Sequence, residues 1–401
     1  MRILYHHRTV SRDGQDVHIE EMIAALRRQG HVVRVVAPQG EDSASFGKDG
    51  GWAAWIKQML PKAVYEALEM GYSLFAYRRL RQAYDSFQPD ILYERYNLYF
   101  LAGYWLKART GLPYVVEINS PLASERAEFG GLALRRLAEW SERTVWRGAD
   151  LTLPVTDVLA EFVRRTGVTE ARILVVPNGI DPQRFSPQVD STAVRRRHGL
   201  EGKVVLGFTG FIRDWHGLPH VIDAMAAMEN RAELHFLVIG DGPGRAALEE
   251  YAEARGMRDQ LTTLGVVGRD HVASYVAAFD IALQPKVVAY ASPLKLFEYM
   301  GLGRAIVAPD QPNIREVLRD GENALLFDPD DPAQFCRAIM LLCGDSVLRA
   351  RLGAAAAHTI EMRDFTWDGN ARRIVARLHE QEGRSNRDEV FSSPLGTQGI
   401  R

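Results

Sequence analysis

Short apolar runs alternate with segments of helical periodicity along most of the chain, a pattern that predicts an α/β fold built on parallel sheets. In the first half the runs at 2–6, 32–37, 90–94, 113–119, 150–155 and 172–176 read as strands. Between the first two, Val17, Ile19, Met22, Ile23 and Leu26 recur at helical spacing over 17–29, and Gly30 closes that helix. The turn-rich stretch Pro177-Asn178-Gly179-Ile180-Asp181-Pro182 then reads as a hinge. A second series of strands follows at 203–209, 234–239, 261–266, 280–284, 305–308 and 324–327, again with helices between. The expectation is two consecutive doubly wound domains, 1–176 and 183–367, joined by the hinge 177–182. A last helical pattern over 368–382 is expected to pack back on the first domain, and the polar tail 383–401 to be disordered. Ligands of such sheets sit beyond the carboxyl ends of the strands, so two domains facing each other place a ligand in the cleft between them.

Residues 52–86 interrupt this scheme. Trp52, Trp55, Ile56, Val64, Leu68, Tyr72 and Phe75 recur at helical spacing and lead into Arg78, Arg79 and Arg81. Two expectations stand side by side: a helical excursion packed on the first domain, or an aromatic and basic surface that touches an anionic membrane or a lipid-linked molecule.

The 401 residues suit two domains, and 46% apolar with 25% charged residues describes an ordinary globular protein. A net charge of −2 gives no electrostatic case for a nucleic-acid partner. No uncharged apolar run reaches the roughly 18 residues of a spanning helix, and the first residues read as a strand rather than a signal peptide. A cytoplasmic location is therefore expected. Cys336 and Cys343 lie two turns apart in a helical stretch without ligand spacing, which predicts two buried thiols and neither disulfide nor structural zinc.

Candidate chemistry concentrates at 292–300, Ser-Pro-Leu-Lys-Leu-Phe-Glu-Tyr-Met. Ser292 is a good N-cap and Pro293 suits the first helical position, which puts Lys295 in the first turn, where the helix dipole favours anions. A phosphate fits there, because free N–H groups at a helix start already form an anion site. Glu298, one turn deeper on the same face, is placed to accept hydrogen bonds from ribose hydroxyls. A Lys and a Glu at i, i+3 also make an ordinary surface pair worth about 0.2–0.5 kcal/mol. Composition favours the nucleotide: the chain has only seven lysines and otherwise uses arginine.

Two further turns belong to the same domain. Gly207-Phe208-Thr209-Gly210-Phe211-Ile212-Arg213-Asp214-Trp215-His216-Gly217 follows a strand, and glycine lets backbone approach an anion while Arg213 and His216 offer donors. The glycines of Gly240-Asp241-Gly242-Pro243-Gly244 read as tight geometry and packing. The strand ending Leu264-Gly265-Val266-Val267-Gly268-Arg269 presents backbone, at Val267, that can read a base.

These motifs, in this order, resemble the donor domain of retaining glycosyltransferases of family 4, which have the GT-B fold. The resemblance extends over nearly the whole chain, since the opening strand, the helix ending in Arg27-Arg28-Gln29-Gly30 and the Pro-Asn-Gly-Ile-Asp hinge also match in order. It implies that a nucleotide-diphosphate sugar is held by Gly14, Gly210, Arg213, His216, Val267, Ser292, Leu294, Lys295 and Glu298, with Lys295, Arg213 and Glu298 carrying the chemistry. It implies no metal ion and no other cofactor. The acceptor, a glycan or lipid-linked hydroxyl as in bacterial polysaccharide biosynthesis, meets the first domain near His18, Glu117 and Asn119. Three departures stand out. Phe211 and His216 occupy places that hold arginine and lysine in the family, Tyr290 replaces the first carboxylate of an E-x7-E pair, and Asn119 stands where many relatives carry a histidine. Asparagine cannot act as a base, and retention makes one dispensable if a donor phosphate oxygen takes the acceptor's proton. The same architecture admits two alternatives: a nucleotide-sugar 2-epimerase, or a non-catalytic nucleotide-sugar-binding partner subunit. A dinucleotide-dependent dehydrogenase is disfavoured, because no G-x-G-x-x-G follows the first strand.

Overall fold

A computed structural model describes residues 1–9, 14–38 and 60–392. Its first domain holds a five-stranded parallel sheet of β1 (Arg2–His6), β2 (Val32–Val36), β3 (Ile91–Arg95), β4 (Tyr114–Ile118) and β5 (Leu151–Pro154), in the order β2-β1-β3-β4-β5. The second holds six parallel strands, β6 (Val204–Thr209), β7 (Leu234–Ile239), β8 (Leu261–Leu264), β9 (Ile281–Leu283), β10 (Ala305–Pro309) and β11 (Leu325–Phe327), in the order β11-β10-β9-β6-β7-β8. Both orders are doubly wound. Burial on both faces explains why the central strands read as unbroken apolar runs. The order reverses between β1 and β3 in one sheet and between β6 and β9 in the other. A crevice opens at such a switch point, so the turns after β6 and β9 are where the second domain should bind, and they carry Gly210–Gly217 and Tyr290–Lys295.

The expected strand at 172–176 is not one. This segment runs beside β5, with Leu174 N–H donating to Thr152 O at 3.0 Å and Val176 N–H to Pro154 O at 2.9 Å, but makes a single bridge at Ile173. It already leads into the hinge. The first helix, Gly14–Arg28, begins three residues earlier than its apolar pattern, because Asp16 in its first turn suits the positive helix end. The last helix, Trp367–Ser392, runs past 382 into the expected disordered tail: helix extends cooperatively through polar residues until a breaker, and the next proline is Pro394. Residues 393–401 lie outside the described residues, as do Trp52, Trp55 and Ile56.

The chain crosses between domains twice, and the crossings pair. Ile180 N–H donates to Phe365 O (3.1 Å), Trp367 N–H to Ile180 O (3.2 Å), and Asn370 Nδ2 to Pro177 O (2.7 Å). A Cβ on Gly179 would stand 2.7 Å from the Thr366 carbonyl carbon, so only glycine permits this approach. Beyond the crossing, Trp367, Ala371, Ile374 and Leu378 bury themselves in the first-domain core beside the Gly14–Arg28 helix.

The helix Lys62–Phe87 packs on the first domain through Ala76, Leu80 and Phe87 but also turns polar groups inward and apolar ones outward. Glu66, Glu69 and Ser73 are buried while Val64, Leu68, Leu74 and Phe75 are exposed, the last at 54%. Glu66 turns inward because its carboxylate accepts from Ala133 N–H (2.9 Å), Leu134 N–H (2.7 Å) and the Tyr99 hydroxyl (3.0 Å). Of the two thiols, Cys343 is buried and Cys336 only half-buried at the helix surface, its Sγ near His220 O.

Candidate functional site

The helix carrying Lys295 spans Leu294–Gly301. Pro293 occupies the cap position and no side chain caps the helix, so Ser292 is not the N-cap the sequence suggests. Its hydroxyl is already taken: Ser292 Oγ accepts from Asn178 N–H (3.1 Å) and Ser292 O from Asn178 Nδ2. Lys295 stays in the first turn. Buried Tyr299 fixes the helix against the end of β6, its hydroxyl accepting from Thr209 N–H at 3.0 Å.

Lys295 is half-buried, with Nζ 4.0 Å from the Phe208 ring centroid and no hydrogen bond or ion pair among the described residues. Burial pushes its pKa down to about 7 against a partial restoring pull from Glu298. Gly210, at φ +130°, lies against the amine, and a Cβ there would stand 2.8 Å from Nζ. Glu298 is also half-buried and free of hydrogen bonds among the described residues. Burial pushes it up to about 7, offset by Lys295, Arg184 and Arg269. Two ionisable groups held in a crevice without hydrogen-bond partners are poised for a ligand that has both negative charge and donors.

The turn after β6 folds over this point. His216 is buried, and burial, followed by the nearby charges of Lys295 and Arg213, lowers its pKa to about 3. Its Nδ1 accepts from Arg213 N–H at 3.2 Å, which leaves Nε2–H as a donor. Arg213 itself is exposed, stacked over Phe211 at 5.1 Å. The glycine turn after β7 supports this loop from behind: Gly210 N–H donates to Ile239 O (2.9 Å), Ile212 N–H to Asp241 O (2.9 Å), and a Cβ on Gly240 would collide with Gly210 O. Those glycines serve packing, as their spacing suggests.

Val267 follows the end of β8, half-buried against the domain core. Its loop is tied to the first domain by Arg269, which pairs with Glu20 and, at 2.7 Å, with Glu21; Arg184 bridges Glu21 (3.3 Å) and Arg269 O (2.6 Å). Leu294 packs against the first-domain core. Gly14 is the first residue of its helix rather than part of the preceding turn, whose residues 10–13 lie outside the described residues.

The three first-domain candidates form one network. Buried Glu117 accepts from Asn119 Nδ2 (2.8 Å), Tyr93 Oη (2.8 Å) and Arg95, and lies 3.0 Å from His18 Nε2. Burial alone would raise its pKa, but His18 and Arg95 beside it hold the carboxyl well below the usual carboxylate range. His18 Nδ1 lies 2.7 Å from Asn178 Oδ1, so close polar contacts run from Asn119 through Glu117, His18 and Asn178 to Ser292, the His18–Glu117 step being an approach of charges rather than a hydrogen bond. Both Glu117 and His18 are buried and serve this network rather than open cleft surface. Sequence reasoning missed Asn178, read only as a hinge residue, and the interdomain pairs of Arg184 and Arg269, whose partners are more than 80 residues away in sequence. It also gave Tyr290 only as a loss. Its hydroxyl crosses the cleft to donate to Glu125 at 2.8 Å, while Thr156 Oγ1 donates to its carbonyl at 2.9 Å. Among the described residues no group of three or more His, Cys, Asp or Glu could hold a metal ion, and no helix is long and apolar enough to cross a membrane.

Comparison with known proteins bears on this cleft. Residues 13–179 match the glycosyl transferase 4-like domain and residues 203–345 the glycosyl transferases group 1 family. The chain is 26% identical to an alpha-D-kanosaminyltransferase of Streptomyces kanamyceticus, over 63% of this chain and 67% of that protein. It is 24% identical to a phosphatidyl-myo-inositol mannosyltransferase of Mycobacterium leprae over 92% of both. Among solved structures, Anabaena HepE in complex with UDP superposes with a TM-score of 0.71 at 18% identity, covering 95% of this chain and all of that one. The two family matches divide at the hinge and together account for most of the chain, which belongs to the family 4 glycosyltransferases of GT-B fold.

Proposed function

We propose that this glycosyltransferase moves a sugar, with retention of anomeric configuration, from a nucleotide-diphosphate donor to a hydroxyl of a glycan or lipid-linked acceptor in bacterial polysaccharide assembly. The observation that carries the donor assignment is the pair Lys295 and Glu298, half-buried in the crevice and without hydrogen-bond partners among the described residues. Lys295, with Arg213 and the neutral His216 Nε2–H, takes the diphosphate; Glu298 takes the ribose; the backbone at Val267 meets the base; Gly14, Gly210, Ser292 and Leu294 shape the phosphate and sugar path. A nucleotide complex of a fold neighbour and the glycosyl transfer carried in the relatives' names support this choice.

As the anomeric bond breaks, negative charge grows on the leaving phosphate oxygen, and fixed donors aimed there are worth about 2.7–4 kcal/mol each. These donors take the place of a metal ion, and turnover is expected to survive chelation by EDTA. The acceptor hydroxyl attacks from the leaving-group side and passes its proton to a phosphate oxygen, with Asn119 orienting the acceptor. The Glu117 and His18 network holds Asn119 in place. The enzyme works in the cytoplasm, and the exposed Val64, Leu68 and Phe75 rest it on the inner face of an anionic membrane.

The test is sugar release from a panel of uridine, guanosine and adenosine diphosphate sugars, with and without acceptor. Lys295→Ala should lower turnover by roughly a hundredfold or more while the fold stays intact. Near-wild-type turnover would refute the assignment, and epimerisation of the donor without transfer would favour the 2-epimerase.

A further inference from the structure

Across the cleft from the Lys295 helix, the first domain presents a carboxylate that the chemistry above does not use. Glu125 closes the short helix Leu122–Glu125, which follows β4 on the cleft side of the sheet. One carboxylate oxygen, Oε2, accepts from Tyr290 of the second domain at 2.8 Å and from Ser120. The other, Oε1, has no hydrogen bond among the described residues. Glu125 lines an open cavity of about 310 Å³ to which both domains contribute, with Glu128, Phe129 and Phe162 on one side and Val288 and Tyr290 on the other. Nothing basic lines it. Tyr290 packs against the first-domain core and stands two residues before Ser292, so the chain that walls this cavity continues directly into the diphosphate turn.

Only the short loop Tyr290–Lys295 separates this wall from the Lys295 turn, and the wall sets aromatic rings beside an open carboxylate oxygen. Such a wall suits a polyhydroxyl ring: ring faces cover its C–H surface, and a carboxylate accepts two hydroxyl hydrogens at once. We propose that Glu125 grips the hydroxyls of the transferred sugar from the opposite domain, with Tyr290 as the residue that positions it. The assignment rests on the donor reading above and names the sugar contact within it. It also makes donor binding report on cleft closure, since the gripping group and the phosphate site lie on different domains.

Titration calorimetry of UDP, UDP-glucose, UDP-galactose, GDP and GDP-mannose against wild type, Glu125→Gln and Tyr290→Phe tests it. In wild type the matching nucleotide sugar should bind more tightly than its free diphosphate. Glu125→Gln should leave free diphosphate affinity unchanged and weaken the nucleotide sugar by roughly ten- to a hundredfold, the range for a lost hydrogen bond to a charged group. Tyr290→Phe, which keeps the carboxylate and removes its tether, should cost less. The proposal falls if Glu125→Gln binds the nucleotide sugar like wild type, if the sugar adds nothing to wild-type affinity, or if both variants lose equally, which would leave only an interdomain contact. Failure of wild type to bind any of the free diphosphates would instead overturn the donor site itself.

Discussion

Lys295 shows how one side chain can be legible in a sequence yet acquire its properties only in the fold. Its place in a first turn marks a site for negative charge; the fold then removes water from the amine and lowers its pKa to about 7. A diphosphate beside it reverses that shift, so binding above about pH 7 takes up a proton. The sign follows: the complex holds more protons than its parts, and affinity should fall as pH rises from 7 to 9, by at most about tenfold per unit. The phosphate's own second ionisation, near pH 6, and that of His216, about 3, lie below this window, while Glu298, at about 7, releases a proton on accepting the ribose hydroxyls and opposes the slope only at the lower edge of the window. Titrating UDP at pH 7, 8 and 9 measures the slope, and Lys295→Ala should flatten it. A slope that survives the substitution would assign the proton to another group.

At the scale of elements, the Leu294–Gly301 helix is held by a neighbour that sequence patterns do not reveal. Asn178 binds Ser292 through both its backbone and its amide and passes the other end of that amide to His18. Asn178→Ala removes two buried contacts, each worth about 0.5–1.5 kcal/mol net. A fall of several degrees in Tm and a raised donor KM are expected, with kcat less affected. Calorimetric melting and donor-saturation kinetics measure these, and unchanged KM would detach the hinge from the donor site. The same contact explains what the sequence leaves unread. Central strands and their order of appearance are legible because parallel strands buried on both faces are apolar throughout. The Ser292 cap is misread because a residue 114 positions away in sequence claims its oxygen. The inward face of Lys62–Phe87 is misread because Glu66 caps a loop about 65 residues further on, and a glutamate's partner cannot be inferred from periodicity. Gly210, just past the end of β6, and Lys295, in the first turn of its helix, can be placed from sequence because strand ends and helix starts carry local signals. Glu125 and Tyr290 cannot, because only the closed arrangement of two domains brings them together.

On the outside of the whole molecule, the helix Lys62–Phe87 leaves an apolar face. Val64, Leu68 and Phe75 share one face of a 26-residue helix, exposed at 45%, 55% and 54%, with Leu74 at its border. The helix Arg135–Gly148, which follows the loop capped by Glu66, exposes Arg136, Trp140, Arg143 and Arg147 at helical spacing. Apolar side chains on one helix and arginines on the other suit a bilayer surface of negative charge, where each arginine near the surface adds about 1 kcal/mol and apolar groups enter the headgroup boundary. The protein should therefore sediment with vesicles of phosphatidylglycerol and phosphatidylcholine at low salt, bind pure phosphatidylcholine far less, and release as ionic strength rises. The double substitution Leu68→Ser and Phe75→Ser should weaken vesicle binding by roughly tenfold or more, since each side chain loses about 1.5–3 kcal/mol of burial when fully inserted. Turnover on a water-soluble acceptor should be unaffected, because neither residue lies near the cleft chemistry assigned here. Arg136→Glu with Arg143→Glu should abolish the preference for anionic lipid while leaving thermal stability close to wild type, as both side chains are exposed. Equal binding of all variants, or none to anionic vesicles at low salt, would leave this face as ordinary exposed surface and require the acceptor to reach the cleft from solution.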